Sequence, residues 1–416
     1  MATAELPRVA RIRQRFARER IEEVEQAVRR AIASSGIAAR LRPGARLAIT
    51  VGSRGIGELP AIVRAAVAAL REAGAAPFIV PAMGSHGGAT AEGQRAVLAD
   101  YGITRESAGA PIESTMEAVE IGRTARGVPV YMDRHAFDAD GVVVFGRVKA
   151  HTAFKAPIES GLCKMLVVGL GKQRGAEALH AAGLADTIPE AAEVALKTGK
   201  VVLGLAVVEN AADEPFRFAA VPPAAFQATD RELLALSNRL LPRIPCEHLD
   251  VLVVDWIGKN LSGSGMDPNV IGMWRRLGGE RRPDYRRIVV RDVTPESRGN
   301  AIGIGWADFT TRRLVEAIDY QAMYMNCLTA NAPEVARVPM TMASDLEAIR
   351  AAIKTSGAAG PVRLARVHST LHLEELYVSE ALLDEVAATG SIDVLEPPAP
   401  MRFDDSGRLG PPLVPK

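Results

Sequence analysis

Arg46-Leu-Ala-Ile-Thr-Val51-Gly-Ser-Arg54-Gly-Ile-Gly57 sets an apolar, β-branched run directly before a glycine loop, and a helical apolar pattern follows over residues 60–73. Apolar run, loop and amphipathic stretch, in that order, is the unit from which parallel sheets flanked by helices are built. The unit recurs. Residues 77–80 read as a second strand, 90–101 as a helix opened by Thr90-Ala-Glu92, and 141–145 and 200–208 as further buried strands. Pro242, Pro245 and a mixed polar stretch then interrupt the alternation, and a fresh strand at 250–255 begins a second series. Strands at 288–293 and 362–367 and helices at 311–324 and 344–355 continue it. The expected fold is α/β in two domains, each a largely parallel sheet flanked by helices, with the active site in the cleft between them. The expected spans are 1–242 and 246–390, followed by an irregular tail, 391–416, packed back on the first domain.

A chain of 416 residues exceeds what one hydrophobic core organises, which agrees with two domains. Fifty basic against 49 acidic side chains leave a formal charge of +1, so neither nucleic acid nor a membrane surface is an expected partner. Cys163, Cys246 and Cys327 are odd in number and widely spaced, which suits reduced thiols better than a disulfide framework. The first twenty residues alternate charge with small apolar groups, and no apolar stretch reaches signal-peptide or membrane-span length. A cytoplasmic protein is expected.

Three segments carry groups suited to chemistry. The first is the loop at Arg54, at the carboxyl end of a strand, where open α/β sheets bind ligands. Its glycines permit close backbone approach and Arg54 can clamp a carboxylate or phosphate, but the spacing is G-x-x-G-x-G and not the dinucleotide fingerprint. A tight turn with a solvated arginine is the plainer alternative. The second is Met83-Gly-Ser-His86-Gly-Gly88, a histidine held among glycines after a strand, where an imidazole can meet a ligand. The third runs from Arg147 through Lys149, His151, Lys155, Glu159, Cys163, Lys164 and Lys172 to His180. Gln173 after Gly171-Lys172 excludes a phosphate P-loop, yet the basic groups and histidines make an anion and metal site an option. The plainer alternative is a basic helix face with incidental histidines. His368 and His372 stand four apart but lack the glutamate of the zinc-protease motif, and His135 and His248 read as surface residues.

Taken together, these segments resemble the nickel-pincer lactate racemase family, whose members bind a pyridinium-derived mononucleotide carrying nickel. Lys164 and His180 lie 180 − 164 = 16 residues apart, the spacing that family shows between the lysine joined to the cofactor and the histidine that ligates nickel. The resemblance implies that His86 and His151 are the acid/base pair and that Arg54 holds the substrate carboxylate. It also departs in places. Lys164 follows His151 by 164 − 151 = 13 residues, longer than the family's interval, which leaves Lys155 as a rival basic group. The aspartate that the family places just before its arginine is replaced within Val51-Gly-Ser53. In Asp267-Pro-Asn269-Val-Ile-Gly272-Met-Trp-Arg275, Asp267 and Asn269 match a substrate-facing segment. Ile271, Gly272 and Arg275 stand where tyrosine, glutamine and lysine are expected, which implies a substrate bulkier or more anionic than lactate.

The implied activity is that of an isomerase, a racemase or epimerase of a 2-hydroxy acid. Removing a proton from carbon beside a carboxylate is hard, and hydride transfer to an electron-poor pyridinium while a histidine takes the hydroxyl proton avoids it. The implied partners are a small 2-hydroxy acid and the enzymes that make the cofactor. The rivals are a nickel-independent nicotinamide or phosphate-substrate enzyme, and a non-catalytic protein that binds a hydroxy acid.

Overall fold

The computed structural model describes residues 5–53 and 55–414. Strand β1 (Arg8–Gln14) opens the chain, yet its antiparallel partners are the strands Glu375–Ser379 and Ile392–Pro400 from the far end. The expected spans are corrected accordingly: one unit is residues 17–241, and the other joins the chain up to Phe16 with everything from Pro242. The physical reason lies in the alternation of β1. Ala10, Ile12 and Gln14 point into the core of the second unit, while Arg11 and Arg13 on the other face both bind Glu375 at 2.6 Å. The stretch that alternates charge with small apolar groups is a strand with one apolar and one arginine face. The tail is corrected in the same way, because residues 392–400 form a strand of this sheet.

The unit of residues 17–241 contains β2 (Arg46–Val51), β3 (Ala76–Pro81), β4 (Ala118–Arg123), β5 (Pro129–Asp133), β6 (Gly141–Arg147), β7 (Val201–Glu209) and β8 (Pro215–Val221). The main sheet runs β3-β2-β6-β7-β8, parallel except for β8, and β4 with β5 forms a separate antiparallel hairpin. Both faces of the sheet are covered. Ala48, Val142, Val144 and Ala206 enter one core, and Leu47, Ile49, Val143 and Leu203 the other, which is why these strands read as continuous apolar runs. From β2 the chain crosses to β3 on one side and later returns to β6 on the other. The loops after β2 and β6 therefore flank the point where strand order reverses, the position at which open α/β sheets form a ligand crevice.

The second unit contributes β9 (His248–Ile257), β10 (Asp284–Val293), β11 (Phe309–Thr311), β12 (Met340–Met342), β13 (Leu364–Val367), β14 (Glu375–Ser379) and β15 (Ile392–Pro400). Its sheet runs β12-β11-β10-β9-β13-β14-β1-β15; β9 to β13 are parallel and the last three strands antiparallel. Among the described residues no helix is long and apolar enough to cross a membrane.

A buried ion network closes one end of this sheet. Arg291 of β10 donates to Asp255 of β9 (2.7 Å) and to Asp345 (2.8 Å), and Arg366 of β13 donates to Asp255 (2.9 Å). Backbone from the tail completes it: Arg291 reaches Leu409 O, Arg366 reaches Pro411 O, and Leu413 N–H donates to Asp255 at 3.1 Å. With every charge matched, loss of one partner strands the others in a dry interior. Asp255→Ala is therefore expected to lower unfolding free energy by about 3–5 kcal/mol in urea titration and to expose residues 404–414 to limited proteolysis. An unchanged midpoint and an intact tail would show that the network is incidental.

Candidate functional site

The carboxyl ends of β2, β3 and β6 are built for close approach. A Cβ on Gly52, just after β2, would lie 2.6 Å from Met165 Cε, and one on Gly146 would lie 3.2 Å from Met165 Cγ. Beside β3, a Cβ on Gly169 would lie 2.7 Å from Ala82 O, and Gly84 N–H donates to Gly169 O at 3.0 Å. Residues 161–176 are thereby laid across three strand ends. The loop after β2 is anchored at its far side, where Gly57 N–H donates to Glu209 Oε1 (2.7 Å) and Arg147 pairs with the same carboxylate. Arg54, the expected carboxylate clamp, lies outside the described residues.

His86 sits exposed in the glycine turn after β3, its Nδ1 2.5 Å from Ser53 Oγ of the β2 loop. Because a hydroxyl donates or accepts, this contact permits either imidazole tautomer. The turn is held from below by Gln94, which has no exposed surface and donates to Gly84 O (2.9 Å) and His86 O (3.3 Å). At Gly87, φ is +67° and a Cβ would come within 2.6 Å of Gln94 N, so only glycine fits.

His151 follows β6 and is half-buried, with its ring 4.5 Å from that of Phe154. Its Nδ1 accepts from Ala153 N–H at 3.0 Å, so the neutral ring carries its proton on Nε2. Glu159, 2% exposed, organises this loop by accepting from His151 N–H (2.6 Å), Ala156 N–H (3.3 Å) and Lys155 Nζ (3.2 Å). Lys155 thus has a structural partner. Nothing in the local pattern marked Glu159, since one glutamate in a polar loop looks like any other.

Lys164 is half-buried at the end of the short helix Leu162–Lys164. Asp230 caps that helix, accepting from Leu162 N–H (3.0 Å) and Cys163 N–H (2.8 Å). A single π-helical turn follows, in which Leu170 N–H reaches back five residues to Met165 O (3.0 Å). Helix Lys172–Ala182 then carries His180, exposed in its last turn, with Nδ1 2.6 Å from Ala176 O. Donation from Nδ1 leaves the Nε2 lone pair outward, the arrangement usual for a ligating histidine. Ala176, on the same helical face, is the residue against which Gly84 packs, 3.3 Å from where its Cβ would be. Lys172 is fully buried. Among the described residues no three His, Cys, Asp or Glu side chains converge as a metal site.

In the second unit, Asn269 is 6% exposed, and both its N–H and Nδ2 donate to Asp267 Oδ1 at 2.8 Å. Arg275, expected to face the substrate, is tied into its own unit. Its guanidinium lies against Trp274 and donates to Trp306 O (2.8 Å), Tyr285 O (2.6 Å) and Asp308 (3.3 Å), leaving 9% of the side chain exposed. Gly272 likewise has a packing role, since a Cβ there would lie 2.5 Å from Trp274 Nε1, whose N–H donates to Pro283 O.

Burial pushes the Cys163 thiol far up, with Asp230 adding to it, so this cysteine is inert at neutral pH. Burial also raises the Asp230 carboxyl to about 6, against the pull of its backbone donors. A carboxyl raised on folding takes up a proton with the fold, so its contribution is present below pH about 4 and lost as pH rises through about 6. Asp230→Asn should therefore gain on the wild type by up to about 3 kcal/mol between pH 4 and 7 in paired urea titrations. Parallel profiles would show that Asp230 does not titrate there.

Residues 5–190 match the family model described as the lactate racemase N-terminal domain. Among solved structures, the lactate racemase apoprotein from Thermoanaerobacterium thermosaccharolyticum is similar, at 14% identity and a TM-score of 0.51, over 87% of this chain and 99% of that one. That likeness is one of fold. No curated protein matches the chain. Residues 5–190 are thus similar to the lactate racemase N-terminal domain, and the chain shares its fold with the lactate racemase apoprotein.

Proposed function

We propose that the chain is a racemase or epimerase of a 2-hydroxy acid that works with a nickel-pincer nucleotide. The observation that carries the reading is the gathering of His86, His151 and the Lys164 to His180 segment at the carboxyl edge of one sheet, inside the stretch that matches the family model. With Gly272 and Arg275 explained by packing, the reading is made at the level of the 2-hydroxy acid class.

The residues present fit the cofactor. Lys164 would hold the cofactor through its amine at the strand ends, and His180 would offer one outward imidazole nitrogen to its metal. When bound, such a group supplies a hydride acceptor and donor for the α-carbon. His86 and His151 hold and move the hydroxyl proton. The two rings are not equivalent: Ser53, by accepting from Nδ1–H, permits His86 the tautomer with an unprotonated Nε2 as base, whereas the Ala153 N–H gives neutral His151 an Nε2–H, a donor to the substrate oxygen. Arg54, at the glycine loop, would hold the carboxylate while the rest of the substrate turns between faces.

His86→Ala and His151→Ala should each lower turnover by about 10²-fold or more and affect the two directions unequally, with cofactor still bound. Chiral analysis of a lactate, malate and phenyllactate panel checks this, and near-normal rates in both directions would remove that residue from the mechanism. Cofactor attachment is read separately, by intact mass and metal analysis after expression with the cofactor-making enzymes. Lys164→Ala should lose the covalent mass, and His180→Ala should keep it but lose or loosen nickel. An adduct on Lys155 or Lys172, or no adduct despite full nickel loading, would overturn the assignment.

A further inference from the structure

Lys172 occupies a costly position. Its side chain has no exposed surface, and its backbone lies in the left-handed region at φ +53°, where glycine is at home and a side chain is strained. Its ammonium donates to two acceptors and pairs with one carboxylate. Nζ is 2.6 Å from Pro81 O at the end of β3, 3.0 Å from Gln94 Oε1, and 3.0 Å from Asp133 Oδ2 at the end of β5. Burial draws the ammonium below the usual lysine range, and Asp133 offsets part of that effect.

The contact with Gln94 decides more than local packing. A primary amide can be turned about, exchanging its oxygen and nitrogen, and a buried one takes the orientation its neighbours impose. Lys172 has only protons to offer, so Gln94 must turn its oxygen toward it, and both amide protons then point at the backbone of the histidine turn, at Gly84 O and His86 O. The same lysine is the first residue of the helix whose last turn carries His180.

We propose that Lys172 is a positioning residue that, through Gln94, locks the His86 turn to the helix carrying His180. Its relevance to catalysis rests on the acid/base reading of His86 given above. With no exposed surface, Lys172 acts through its neighbours and not on the substrate. It fixes the backbone from which His86 projects, and a shift of about 1 Å in a reacting group is enough to cost about 10²-fold in rate.

The test uses the full-length protein without cofactor, labelled with ¹³C and ¹⁵N at histidine. With seven histidines in the chain, His86 is assigned by the peak that His86→Asn removes. Lys172→Met and Gln94→Met should each shift or broaden the His86 ring signals while leaving those of His135 and His248 in place. Gln94→Met keeps Lys172 on Pro81 and Asp133, so it carries the test if Lys172→Met fails to fold. Unmoved His86 signals in a folded Gln94→Met variant would overturn the proposal. On the acid that the panel identifies, the cofactor-loaded variants should lose about 10-fold to 100-fold in kcat with KM nearly unchanged. If His86→Asn retains full turnover, the acid/base reading falls alone, because the ring signals still decide whether Lys172 and Gln94 hold the turn.

Discussion

Met165 rests on strand ends that have no room for a side chain. Gly52 and Gly146 meet it directly, and Gly169, four residues further on, lies against Ala82 beyond β3. Everything proposed for the site depends on that contact, because it lays residues 161–176 flat over the crevice and delivers Lys164 to it. In this light the glycines after β2 serve a purpose other than cradling a phosphate. They lower the floor so that a helical segment can occupy the place where an α/β sheet usually presents only loops.

Around this floor, buried charges hold backbone in place. Glu159 gathers the His151 loop, Lys172 and Gln94 support the His86 turn, Glu209 anchors the glycine loop, and Asp230 caps the helix of Lys164. Each charged group gives up hydration on burial and recovers it as hydrogen bonds to main-chain groups or an opposite charge. Apolar residues of equal size would pack as well, but they would not fix where a carbonyl or an N–H points. Direction is what an acid/base site requires of its support.

Much of this was legible in the residues. The apolar runs of β2, β3, β6 and β7 are buried on both faces, and such strands announce themselves; the histidine turn is marked by its glycines. Other parts carried no one-dimensional signal. β1 alternates arginine with small apolar residues, and that pattern becomes a strand only once Glu375 is opposite it. Arg275 and Gly272 stood where substrate contacts were expected, and only the neighbouring Trp274, Trp306 and Asp308 reveal their packing roles. Lys172 reads as one of several basic groups in its segment, and its burial depends on β3, β5 and the helix of Gln94 meeting around it.

The place of β1 between β14 and β15 has a consequence for how the molecule is made. During synthesis residues 17–241 emerge with every strand of their own sheet in hand, so that unit can fold while translation continues. The other sheet joins the two extremes of the chain, a pairing of very high contact order that closes only after residues 392–400 have left the ribosome. Until then residues 8–14 are an unpaired strand tethered to a finished neighbour, and the arginine face of that strand supplies the charge that discourages pairing with another nascent chain.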